Sequence, residues 1–219
     1  MSITENLNKI KVTIPENVTL VAVSKTKPIE DLMEGYQAGQ RIFGENKIQE
    51  MTEKWQTMPK DIQWHMIGHV QTNKVKFMAE YVSLIHGVDS LKLLEEINKQ
   101  AVKQQRIIDC LLQMHIAEEE TKFGLNATEL NEILNSEAIK NLKNIRVVGL
   151  MGMATFTENQ SQIKKEFQNL KSIFDHFKND TNENFKLEIL SMGMSGDYQL
   201  AIECGSNMVR IGSSIFGSR

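Results

Sequence analysis

Lys25 is the residue whose setting first suggests chemistry. It follows the β-branched run Thr19–Val23, and strict alternation puts Val21, Val23 and Lys25 on one side of that run. If the valines face the interior of a closed sheet, the amine faces it too. Burial disfavours the charged form of an amine, and a neutral amine attacks an aldehyde to give a Schiff base. Lys27 is a weaker candidate, because as the residue before Pro28 it already belongs to the turn. The plain alternative for either lysine is a surface charge with its head in water.

Small and hydroxyl-bearing residues form the second group. Gly193 and Ser195 follow one apolar run, and Gly212, Ser213 and Ser214 follow another. Backbone N–H groups and hydroxyls in such loops are phosphate donors, although ordinary turns use the same residues. Joined to a desolvated lysine, they point to a phosphorylated aldehyde. Other polar groups read more simply. His65 and His69 are four apart but straddle a strand end and lack the Glu of H-E-x-x-H, so zinc is not expected. The run Glu118–Glu120 reads as a solvated loop. The 12 methionines read as adaptable packing. Cys110 and Cys204 are too few for a disulfide framework, and Cys204 reads as buried filler.

These groups need a frame that brings strand ends together. A short apolar run, a turn and a helical stretch recur eight times: the runs are Thr19–Val23, Arg41–Phe43, Gln63–Ile67, Val82–Val88, Ile107–Ile116, Ile145–Met153, Phe185–Leu190 and Met208–Ile211. Helices are expected to open with Pro28 in the first turn, to run up to Trp55, from about Gln71, after Asp89-Ser90, near Thr128–Asn135, from about Asn159 to Lys178, and up to about Cys204. Eight such units of roughly 27 residues, after one N-terminal helix, predict a (β/α)8 TIM barrel of the α/β class rather than an open sheet. No G-x-G-x-x-G or G-x-x-x-x-G-K-[ST] supports a nucleotide-binding sheet. With no linker or low-complexity tract, residues 1–219 are expected to form a single domain. In such a barrel the polar groups after the strands meet at one face, among them Lys25, Asn46, His65, Ser195, Arg210, Gly212 and Ser213.

Composition excludes several function classes. The chain has 219 residues, 41% hydrophobic and 24% charged, with a formal net charge of −3. That profile suits a compact core and lacks the basic footprint of a nucleic-acid binder. No secretory signal or apolar stretch long enough to span a membrane is present, so a cytoplasmic location is expected.

Six ordered segments carry a resemblance: Val21-Ala22-Val23-Ser24-Lys25-Thr26-Lys27-Pro28; Phe43-Gly44-Glu45-Asn46; Trp64-His65-Met66-Ile67-Gly68 with Gln71-Thr72-Asn73-Lys74; Gly149-Leu150-Met151; Ser191 to Asp197; and Val209 to Gly217. Together they resemble the pyridoxal phosphate homeostasis proteins, which share the barrel of alanine racemase. The resemblance implies that Lys25 carries pyridoxal 5′-phosphate as a Schiff base. It also implies that Ser195, Gly212 and Ser213 hold the phosphate and that Arg210 lies near the pyridine ring, with Asn46, His65 and Met194 as wall residues. A guanidinium beside the ring nitrogen discourages its protonation and weakens the ring as an electron sink. His69-Val70 departs from the proline or leucine common after Gly68, away from the cofactor residues.

Two functions from different classes follow. The first is a binding protein that holds and delivers pyridoxal phosphate, with apo pyridoxal-phosphate enzymes as partners, no robust catalysis and a monomeric state. The second is a compact racemase-type enzyme using Lys25 as base. The chain ends a few residues past the eighth run, so the β-rich second domain of alanine racemase is not expected, and Lys25 is the single clear base where two-base racemisation needs two. Both favour the first.

Overall fold

The run Thr19–Val23 forms β1, whose alternate residues divide between two cores. Val21 joins an inner cluster with Leu84, Leu111, Met151 and Met208, while Leu20 and Ala22 pack outward under the helices. In the computed structural model, which describes residues 2–118, 123–180 and 183–217, the other strands repeat this division. They are β2 (Ile42–Glu45), β3 (Gln63–Met66), β4 (Leu84–Val88), β5 (Ile108–Met114), β6 (Ile145–Gly152), β7 (Phe185–Ser191) and β8 (Met208–Ile211). All pair in parallel in sequence order, and β8 closes on β1 with Val21 opposite Arg210. The expected closed eight-stranded barrel is thus present. Burial on both faces explains why β4, buried at every position, reads as an apolar run broken only by His86 and Gly87.

Side-chain caps set many of the helix starts. Ser2 and Glu5 make a capping box for α1 (Ile3–Thr13), and Asn126 and Glu129 make another for α5 (Ala127–Asn135). Ser90 caps α4 (Leu91–Lys103), Ser136 caps α6 (Glu137–Lys140) and Asn159 caps α7 (Gln160–Phe177). The remaining helices are α2 (Ile29–Gln37), α3 (Ile48–Thr57), α8 (Tyr198–Glu203) and α9 (Ser213–Phe216). Pro28 stands one position earlier than a first-turn proline, as the N-cap of α2 with extended backbone.

The third connection differs from expectation. In place of an α-helix from Gln71, Thr72–Phe77 forms a 3-10 segment. Its buried anchors Val75 and Met78 are three apart, the spacing that a 3-10 turn brings onto one side. The acidic run expected at Glu118–Glu120 lies outside the described residues after Glu118. No described helix is long and apolar enough to cross a membrane.

Candidate functional site

The strand ends enclose a cavity of about 540 Å³, a size typical of small-molecule sites. Its lining combines Val23 and Lys25 after β1, Asn46 after β2, Met194 and Ser195 after β7, and Arg210, Gly212 and Ser213 at and after β8. Residues distant in sequence meet here because a parallel barrel sends every strand's C-terminal end to the same face.

Lys25 occupies a tight turn and is half-buried. The Lys27 N–H donates to the Ser24 carbonyl at 3.1 Å, so Lys25 and Thr26 are its central residues. Thr26 has φ 63°, the left-handed region that a β-branched residue adopts at a penalty of about 1–3 kcal/mol. Lys27 also lines the cavity, and its ammonium donates to the Phe216 carbonyl at 2.9 Å.

Beside the Lys25 turn, where β8 pairs with β1, Ser195 Oγ accepts the N–H groups of Gly212 at 3.2 Å and Ser214 at 3.5 Å. Asp197 Oδ1 accepts the Met194 N–H at 2.6 Å and shapes the loop after β7. Two glycines permit the close approach. Gly193 has φ 99°, and a Cβ there would lie 2.6 Å from the Ala201 Cβ. A Cβ on Gly212 would lie 3.0 Å from the Val23 carbonyl oxygen. Hydroxyl and backbone donors gathered on one wall suit the oxygens of a phosphate.

Arg210 is buried and held by neutral acceptors. Nη1 donates to the Ser191 carbonyl at 3.0 Å and to Ser191 Oγ at 2.6 Å, and Nη2 donates to the Gly152 carbonyl at 3.0 Å. Burial pulls the guanidinium down to about 10, opposed by Asp197, so it stays protonated at neutral pH.

His65, expected in the cavity wall, does not line it; it lies in the barrel interior. Its Nδ1 sits 3.1 Å from His86 Nε2, and His86 Nδ1 sits 3.3 Å from Ser191 Oγ. A continuous row therefore runs from His65 through His86 and Ser191 to Arg210. Burial pushes His65 down to about 3 and lowers His86 well below the usual histidine value, with His65 and then Arg210 adding to the latter effect. Both rings are neutral at pH 7, so each offers one donor and one acceptor nitrogen. His86 was legible as the titratable residue in the apolar run Val82–Val88, but its partner was not.

The mouth carries aromatic groups. The exposed Phe123 stacks on His69 at 4.4 Å between ring centroids, and His69 Nδ1 lies 3.6 Å from Asp89 Oδ2. Beside them, Glu166 holds the loop after β6 by accepting the Thr155 N–H and hydroxyl, each at 2.7 Å.

Comparison with known proteins supplies a further observation. A family model described as "Alanine racemase, N-terminal domain" matches residues 1–219. The pyridoxal phosphate homeostasis protein of Pasteurella multocida is 37% identical over 232 residues, covering 100% of this chain and 98% of that protein. The chain belongs to the pyridoxal phosphate homeostasis protein family. The Schizosaccharomyces pombe member is 40% identical over 206 residues, covering 93% of this chain and 85% of its own. Among solved structures, PipY of Synechococcus elongatus with pyridoxal phosphate bound matches with a TM-score of 0.88 at 31% identity, covering 99% of this chain and 100% of that one. Alanine racemase of Clostridium difficile shares the fold, with a TM-score of 0.81 at 17% identity over 100% of this chain and 60% of that one.

Proposed function

We propose that this protein binds pyridoxal 5′-phosphate in the cavity at the strand ends and serves its homeostasis, holding it reversibly on Lys25 and passing it to apo-enzymes. The observation that carries this reading is the sharing of one cavity by an amine, a buried cation and a wall of hydroxyl and backbone donors. The residues fit the group. Lys25 supplies the amine, Ser195, Ser213 and the Gly212 amide supply donors for the phosphate, and Arg210 supplies a fixed positive charge for the ring. Asn46 and Met194 complete the wall, and His65 acts from beneath through His86 and Ser191. When bound, the cofactor brings an aldehyde that condenses with an amine as a Schiff base and releases water.

A carrier needs retention without turnover. Arg210 stays charged and donates its N–H groups, so it offers a ring nitrogen no proton acceptor. That arrangement holds the ring while limiting the electron withdrawal that carbanion chemistry requires. A monomer acting in the cytoplasm is the working state of this reading.

The test begins with the purified protein and pyridoxal phosphate. A visible band is expected and should vanish in Lys25→Ala, with racemase activity on an amino-acid panel at background. Ser195→Ala with Ser213→Ala should weaken retention, each lost charge-assisted hydrogen bond counting for about 1.5–3 kcal/mol. Loaded protein should restore an apo vitamin-B6 enzyme. Robust racemase turnover that disappears with Lys25→Ala would replace the carrier reading by the enzyme one.

A further inference from the structure

Lys54 lies on α3, away from the cavity lining, and is almost completely buried with 5% exposure. Its ammonium uses each of its donors. Nζ donates to the Ser24 carbonyl at 2.9 Å, to Glu45 Oε1 at 2.8 Å and to Glu50 Oε1 at 2.7 Å. The same carboxylate oxygens reach back to the Lys25 turn. Glu45 Oε1 accepts the Ser24 hydroxyl at 2.6 Å, and Glu50 Oε1 accepts the Thr26 N–H at 2.6 Å. Lys25 is therefore gripped on both sides, by the carbonyl before it and the amide after it.

Three features argue that this cluster serves position rather than stability. A buried ion pair contributes little net stability, because desolvation offsets the attraction, and apolar groups of similar volume often do as well. Here the arrangement is imperfect by that measure, since Glu45 is fully buried and its Oε2 has no hydrogen-bond partner. The hydrogen bonds also converge on the turn that contains the left-handed Thr26, a conformation that persists only where its surroundings impose it. We infer that Lys54, with Glu45 and Glu50, is a positioning device that locks the Ser24-Lys25-Thr26 turn and aims the Lys25 amine into the cavity. The inference rests on the reading of Lys25 proposed above.

Glu50→Ala removes the hold on the Thr26 amide at a partly exposed site, while Glu50→Gln keeps an acceptor there. Lys54→Met with Glu45→Gln removes the two buried charges together and leaves the partly exposed Glu50 on the Thr26 amide. For each, the dissociation constant for pyridoxal phosphate, the pH midpoint of the visible band and the thermal midpoint of the unliganded protein are measured beside Lys25→Ala. Glu50→Ala and the double variant should bind about tenfold more weakly and shift the pH midpoint, as loss of one or two aligned hydrogen bonds implies. Glu50→Gln should stay near the parent. The unliganded thermal midpoint of Glu50→Ala should change little. Parent-like affinity and pH midpoint in Glu50→Ala would overturn the positioning role even where the double variant fails to fold. In that case a band still lost in Lys25→Ala leaves the proposed function standing, whereas a band retained in Lys25→Ala removes that function's basis as well.

Discussion

Acid should unseat this protein through its interior histidines. His65 and His86 are buried and neutral, so protonating either requires a charge inside the barrel. A histidine held below its ordinary value binds fewer protons folded than unfolded, so stability rises with pH between the two values and falls as pH drops below the unfolded one. For His65 that interval runs from 6.5 down to about 3. Each pH unit inside it is worth about 1.4 kcal/mol, so acidifying from pH 7 to pH 5 should remove about 2 kcal/mol through His65 alone. Against a total stability of about 5–15 kcal/mol that loss is large. Urea titrations of the unliganded protein at both pH values should show it. His65→Asn keeps a polar side chain but cannot titrate, so it should be less stable at pH 7 and recover about 2 kcal/mol of the acid sensitivity. An equal loss of stability in parent and variant would refute the reasoning. Because the row ends on Arg210 through Ser191, cofactor retention should fall in the same pH range.

Two further predictions use the cavity walls. Glu166 is held below the usual carboxylate value: burial raises it, and the Thr155 N–H and hydroxyl, Gln162 and the Glu118 N–H outweigh burial. Its contribution is present above the unfolded carboxylate value and disappears as pH falls through the lower folded one, so Glu166→Gln should lower the thermal midpoint at pH 7 and converge with the parent in acid. Gly212→Ala must move a Cβ that would stand 3.0 Å from the Val23 carbonyl oxygen. Calorimetry with pyridoxal phosphate should show weaker binding alongside a stability loss of about 1 kcal/mol, the usual size for a point substitution.

Much of this molecule was legible before any coordinates. The eight apolar runs correspond to the eight strands, with β1 and β8 matching end to end, because strands buried on both faces are predominantly apolar. Period-two alternation placed Val21 and Val23 on the inner side or along the cavity, whereas Lys25, expected there with them, stands past the end of β1 in a turn that borders the cavity, half-buried. Gly and Ser after the last strands likewise announced a loop rich in donors.

What pairs with what was settled only by closing the barrel. Arg210 takes an acceptor 58 positions away in Gly152, and His86 meets Ser191 across 105 positions. Local pattern has a reach of a few residues, whereas a closed sheet brings the ends of β4, β7 and β8 around one interior. Lys54 shows the same limit. Its spacing from Glu50 reads as an ordinary exposed helix pair, yet α3 turns it against β2 and the Lys25 turn, where its charge is buried. Alternation tells which side of a strand a group takes, and only the assembled walls decide which groups share that side.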